Sequence, residues 1–235
     1  MARLVSKLGT IVRKFDAVFL DMAGTSGDKR NKLVIKSFQH IFNNHPKLTG
    51  SLIAQDLGLK KDPHIRRLHQ LLRLRCNDYT VKRKLNEFED HHDFLIQTEL
   101  KPVPGAEKIF KQLHAQGRIV AYTTGFSRRL ANSYVRRLVS FGIHYDDGVS
   151  SDEVKNGRPF GDMIEVLLNR FKIRNPRTVL NVGDAVADVK SAINAGVVAG
   201  AVTRTGSLGR TATSTLRKAG AEIIMPDITH LKLYI

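Results

Sequence analysis

Four short segments carry side chains that can do chemistry, and each follows an apolar run. Asp21 comes directly after the run at residues 15–20 and opens the sequence Asp-Met-Ala-Gly-Thr. Thr123, Thr124 and Gly125 follow the run at 118–122 and offer hydroxyls and open backbone amides. Arg158 lies in Asn-Gly-Arg-Pro-Phe, and its planar guanidinium suits phosphoryl oxygens. Asp184 and Asp188 lie in Val-Gly-Asp-Ala-Val-Ala-Asp after the run at 178–182. A nucleophilic carboxylate, a hydroxyl, a cation and an acidic pair are the parts that phosphoryl transfer through an aspartyl-phosphate with Mg²⁺ needs. The metal and the cation neutralise the phosphoryl oxygens so that a carboxylate can approach them. Singly, each segment has a plainer use, because Asp before Gly forms turns and Asp at a helix start caps it. It is their order along one chain that points to chemistry.

The elements that must position these residues follow from hydrophobic patterning. Apolar runs at 15–20, 118–122, 178–182 and 197–202 alternate with helical patterns at 106–115, 128–141, 162–171 and 188–195. Strands alternating with helices predict an α/β fold: a doubly wound, Rossmann-like parallel sheet with helices on both faces. Ligands in such sheets sit at the carboxyl ends of the strands, where the four segments fall. Residues 28–100 break the alternation, with amphipathic helical patterns at 33–42, 65–74 and 81–95. A helical domain inserted after the first strand is expected there, and Lys-Pro-Val-Pro-Gly at 101–105 reads as a stiff return linker. The expected organisation is a basic leader at 1–14, a core domain at 15–27 and 101–235, and a helical domain at 28–100.

Composition sets the outer limits. In 235 residues, 38 Lys and Arg face 22 Asp and Glu, a net charge of +16, with 42% hydrophobic and 26% charged residues. That balance is globular, and no apolar run reaches the ~18–20 residues of a membrane span. The single cysteine, Cys76, allows neither an internal disulfide nor a zinc-ligand pattern, which favours a reducing, cytoplasmic setting. The charge admits nucleic acid, an acidic membrane surface or an anionic substrate as partner. Arg3, Lys7, Arg13 and Lys14 accompany Leu4, Leu8 and Ile11 at helical spacing, so the leader is either an organellar targeting signal or a basic segment lying on the domain. His91, His92 and Asp93 have a metal site's composition but lie on an amphipathic helix, and packing is the better reading. Arg66, Arg67, Arg73 and Arg75 interleave with Ile65, Leu68, Leu72 and Leu74, an ordinary amphipathic face without the aromatics that stack single-stranded bases.

The order Asp21, Thr124, Arg158, Asp184 and Asp188, with a helical insert after the first motif, resembles the haloacid dehalogenase superfamily over residues 15–203. The resemblance implies that Asp21 is the nucleophile and that the insert is a cap. It also implies that Asp21, the Ala23 carbonyl, Asp184 and Asp188 hold Mg²⁺, while Thr123, Thr124, Gly125 and Arg158 bind the phosphoryl group. Phosphatases of the superfamily carry a second Asp two residues after the nucleophile as general acid and base; Ala23 stands there in this chain. Asp-x-Ala-Gly-Thr is similar instead to the phosphonoacetaldehyde hydrolase (phosphonatase) branch, which cleaves a C–P bond and has no leaving alkoxide to protonate. Residues 58–66, Gly-Leu-Lys-Lys-Asp-Pro-His-Ile-Arg, resemble that branch's cap segment without a gap. The match places Lys61 on its Schiff-base lysine and His64 on its cap histidine. A homodimer through the cap is also implied.

Against the branch pattern, Lys60 sits beside Lys61, Leu57 stands where methionine is usual, Phe126 replaces a tyrosine and Ala185 a threonine. Two other functions stay open at this point. One is a phosphatase, or a hydrolase of another phosphonate, with the same Asp21 nucleophile; the other is a non-catalytic protein of this fold that binds nucleic acid or another anionic surface through its excess charge.

Overall fold

The structure, a computed structural model, describes residues 4–5, 11–12 and 15–234. Two short strands, β1 (Leu4–Val5) and β2 (Ile11–Val12), pair antiparallel with Leu4 opposite Val12 and Val5 opposite Ile11. Leu4 and Ile11 therefore sit in extended backbone rather than on the helical spacing expected of them; three of the four paired residues are β-branched, which favours the pleat. The leader's basic residues, Arg3, Lys7, Arg13 and Lys14, lie outside the described residues.

A six-stranded, all-parallel sheet forms the centre, in the order β5-β4-β3-β6-β7-β8. Its strands are β3 (Ala17–Leu20), β4 (Ile119–Thr124), β5 (Asp147–Ser150), β6 (Val179–Gly183), β7 (Val198–Val202) and β8 (Ile223–Met225). Before β4 come α1 (Lys32–Ile41), α2 (Gly50–Ala54), α3 (Lys61–Leu71), α4 (Asp78–Glu99) and α5 (Ala106–Ala115). After it come α6 (Arg128–Val139), α7 (Asp162–Arg170), α8 (Val186–Asn194) and α9 (Ala212–Lys218).

Successive side chains of a strand point to opposite faces, and β3 shows the consequence. Val18 and Leu20 join one buried cluster with Phe110 and Leu113 of α5 and Leu130 and Tyr134 of α6. Ala17 and Phe19 join the other, with Ile164 and Leu167 of α7 and Val189 and Ala192 of α8. The sheet is thus buried on both faces, as all-parallel sheets are. The helices between β3 and β4 belong to the first cluster: Val34, Phe38 and Ile41 of α1, Ile65 and Leu68 of α3, and Phe88 and Ile96 of α4 are all buried in it. The edge strands β5 and β8 have no counterpart in the sequence patterning, because each is only three or four residues long. Among the described residues no helix is long and apolar enough to cross a membrane.

Candidate active site

The strand order reverses at β3. The chain proceeds from β3 to β4 and β5 on one side, then returns to lay β6 on the other. Loops leaving the carboxyl ends of β3 and β6 therefore part in opposite directions and open a crevice. Asp21 and Asp184 are the residues placed there. Leu20 is in register with Val182, and the Asp21 N–H donates to the Val182 carbonyl at 2.8 Å. Asp188 enters from the first turn of α8, where its Oδ2 accepts the Ala185 N–H at 2.9 Å. The ligand oxygens of Asp21, Asp184 and Asp188 lie within 4.8 Å of one another, and all three residues are buried.

Arg158 is the cation that faces this acid cluster. Its Nη1 lies 2.8 Å from Asp21 Oδ1 and 2.6 Å from Asp188 Oδ1. Nη2 donates to the Thr123 carbonyl at 2.6 Å and to Thr123 Oγ1 at 2.8 Å. Burial opposes the guanidinium's charge, but Asp188 and Asp21 hold its pKa above the ordinary value. Burial pushes Asp21 up to about 6 despite Arg158. Burial, with Asp21 and Asp188 adding to it, raises Asp184 well above the usual carboxylate range. Three buried carboxylates thus gather round one cation whose two terminal nitrogens are paired. An all-oxygen, anionic cluster suits a hard divalent cation such as Mg²⁺, which would offset the burial and the mutual repulsion that raise these pKa values. The donor set therefore fits the metal.

The helical segment supplies the rest. Lys61 opens α3, is buried, and donates from Nζ to the Leu59 carbonyl at 3.0 Å, with the Phe126 ring centroid 5.0 Å away. Burial lowers its pKa to about 8, partly countered by Asp21. Lys60 turns the other way, donating to the Val154 carbonyl at 3.1 Å. The loop before α3 presses on the loop after β4 so closely that a Cβ on Gly125 would lie 2.5 Å from the carbonyl oxygens of Gly58 and Leu59. Only glycine permits that approach.

A small, partly open cavity lies between these parts, lined by Asp21, Ala23, Lys61, Thr124, Gly125 and Asp184 together with residues that include Asn31, Leu57 and Phe126. Six of the candidate site residues therefore meet on one surface. Thr123, Arg158 and Asp188 are off that wall; Arg158 pairs with Asp21 and is itself held by Thr123 and Asp188. His64 is off it too: its ring packs 4.2 Å from the Phe38 ring, and burial lowers its pKa to about 3. In that position the ring packs α3 against α1. His92 Nδ1 pairs with Ser37 Oγ at 3.0 Å and its ring stacks on Phe88, consistent with packing. Asn31 gave no signal in the sequence. It sits in the left-handed region (φ 52°), where asparagine is better tolerated than most residues, and its Nδ2 donates to Asp184 Oδ2 at 2.8 Å.

Residues 15–196 match the family model described as haloacid dehalogenase-like hydrolase. Among curated proteins, a phosphonoacetaldehyde hydrolase of Latilactobacillus sakei is 27% identical, covering 91% of this chain and 92% of its own length. One from Bacillus cytotoxicus is also 27% identical, over 84% of this chain and 80% of its own. Among solved structures, a phosphonoacetaldehyde hydrolase-like protein from Oleispira antarctica superposes with a TM-score of 0.86 at 21% identity, covering 94% and 91% of the two chains. A predicted phosphoglycolate phosphatase from Haemophilus somnus does so at 0.75 and 18%, over 93% and 96%. The sheet order, the carboxylate cluster at its switch point and the match over residues 15–196 together identify the chain as a hydrolase of the haloacid dehalogenase superfamily.

Proposed function

We propose that this hydrolase cleaves the C–P bond of phosphonoacetaldehyde to give acetaldehyde and phosphate. One observation carries the reading: a buried lysine amine of lowered pKa and a buried carboxylate share a small cavity. In addition, Ala23 occupies the place where a phosphatase of this superfamily keeps its proton donor. A phosphate ester has no use for Lys61 and needs the missing acid; a β-carbonyl phosphonate needs the lysine and not the acid.

The steps follow from the residues. Neutral Lys61 Nζ adds to the aldehyde and loses water to form an imine, whose protonated form is an electron sink. Asp21 Oδ attacks phosphorus while the C–P bonding electrons move into the iminium, leaving an enamine on Lys61 and an acyl phosphate on Asp21. Arg158 keeps Asp21 aligned, and the Thr124 hydroxyl with the Gly125 amide faces the transferred group. Water hydrolyses the acyl phosphate, releasing phosphate. Protonation of the enamine carbon and hydrolysis of the resulting imine release acetaldehyde and return Lys61. One water is consumed per turnover. Mg²⁺ held by Asp21, Asp184 and the Ala23 carbonyl, with Asp188 in support, would supply positive charge to the phosphonate oxygens.

Helices α1–α4, residues 28–100, act in this reading as a cap that admits substrate by opening and expels water by closing. A homodimer through the cap would cover Tyr79 and Phe94, both exposed on α4. The test is phosphate release from phosphonoacetaldehyde with Mg²⁺. Wild type is expected to turn over, while Asp21→Ala and Lys61→Ala are not. Full activity in Lys61→Ala would remove the imine, and turnover of phosphate esters in place of the phosphonate would move the enzyme to the phosphatases.

A further inference from the structure

Much of the +16 charge has no part in this chemistry, and one portion of it is concentrated in a cleft. Lys29, Arg30, Arg204 and Arg210 line an open depression together with Thr203, Gly206, Gly209 and Thr213. No carboxylate is in that lining. Some arginines elsewhere on the surface are paired, Arg66 with Asp78, Arg129 with Asp90 and Arg177 with Glu222. Among the described residues, none of the four cleft cations has an ion-pair partner. Like charges gathered without a counter-charge repel one another, and here their positions are fixed by the backbone. The Arg30 N–H donates to the Thr205 carbonyl at 2.5 Å, tying the segment after β3 to the segment after β7. This bond brings Lys29 and Arg30, far from Arg204 and Arg210 in sequence, to one cleft.

The cleft backs onto the carboxylate cluster without opening into the catalytic cavity. A Cβ on Gly206 would meet Asp184 Cβ at 2.5 Å, so the wall between them is one residue thick. The two lining sets share no residue.

We infer that this cleft is a second binding site, for a phosphate-class oxyanion. Three arginines present forked donors, the Thr213 hydroxyl adds a directional partner, and two glycines leave backbone amides approachable. The same chemistry would accept either free phosphate, which the proposed reaction releases, or the phosphate of a phosphomonoester. A bound dianion would offset the repulsion among the four cations and place negative charge behind Asp184. Occupancy should therefore stabilise the fold.

The test does not depend on which reaction the enzyme catalyses. The full chain is titrated calorimetrically with inorganic phosphate, then with glycerol 3-phosphate, each in Mg²⁺ and again in chelator. Without the metal the catalytic cavity presents Asp21 and Asp184 to a dianion, so binding in chelator that the cleft variants remove reports the cleft. Wild type is expected to bind saturably in chelator, with a rise in melting temperature. Arg204→Gln with Arg210→Gln should weaken that binding at least about tenfold and leave kcat at saturating substrate unchanged. Lys29→Gln with Arg30→Gln, on the opposite wall, should reproduce the loss and serves if the first pair misfolds. Tighter binding of phosphate identifies product as the ligand, and tighter binding of the monoester identifies a phosphorylated metabolite. Phosphate affinity unaffected by both double variants would overturn the inference. So would binding of a thymidine oligonucleotide with a steep salt dependence and no binding of either small anion.

Discussion

Two cations are buried near Asp21, Arg158 behind the cavity wall on the sheet side and Lys61 on the wall from the helical segment, and their surroundings treat them in opposite ways. Arg158, next to the strand ends, meets Asp21, Asp188 and both oxygens of Thr123. Lys61, at the start of α3, has one carbonyl and the face of a phenylalanine. The first is held above its ordinary pKa and the second is brought down to about 8. Burial is the same; pairing decides the outcome. A paired arginine is a permanent positive charge, whereas an underpaired lysine is an amine available as a nucleophile. In the proposed reaction, the contrast gives electrostatics to the core and covalent chemistry to the insert.

The hardest way to strain that division is to remove the group both sides act upon. Asp21→Asn should lower kcat by at least about 10⁴-fold, measured as phosphate release. Lys61→Met should lower it by about 10³-fold or more while stabilising the protein by roughly 1–3 kcal/mol in urea at pH 7. The sign follows from linkage: burial lowers the folded-state pKa from 10.5 to about 8, so the cost of the buried charge is fully present below 8. It disappears as pH rises toward 10.5. Arg158→Lys keeps a charge but loses the fork to Asp21 and Asp188, and should cost about 10²-fold in kcat. It should also lower stability, the opposite of the Lys61 substitution. With pH, kcat/KM should rise about tenfold per unit and level off near 8 as Lys61 loses its proton, with no limb from Arg158. Smallest is Asn31→Ala, which removes the hydrogen bond to Asp184 and should weaken Mg²⁺ activation about tenfold.

The same contrast explains what could be read without coordinates. Asp21, Thr124 and Asp184 were legible because each ends an apolar run, and a parallel sheet gathers strand ends on one side. The boundaries of α5 came out as patterned, since Ile109, Phe110 and Leu113 bury one face. Lys61 was legible only through the family resemblance, because nothing in a Lys-Lys pair says which amine is buried. The structure separates them through backbone direction at the start of α3, with Lys60 turned to Val154 and Lys61 lining the cavity. Asn31 and the four-cation cleft were not legible. Both depend on the loop after β3 meeting the loops after β6 and β7, a contact between segments that lie more than 150 residues apart in the Asn31–Asp184 pair. The helical spacing at Leu4 and Ile11 was misleading, because so short a run is decided by its β-branched neighbours and pairing.

The most direct test of the central claim is borohydride reduction during turnover of phosphonoacetaldehyde, followed by peptide mass mapping. Wild type should be inactivated and carry an N-ethyl group on Lys61, the reduced imine of product acetaldehyde, with Lys60 unmodified. Continued phosphate release with no modification, or modification at Lys60 alone, would contradict the assignment of the covalent chemistry to Lys61.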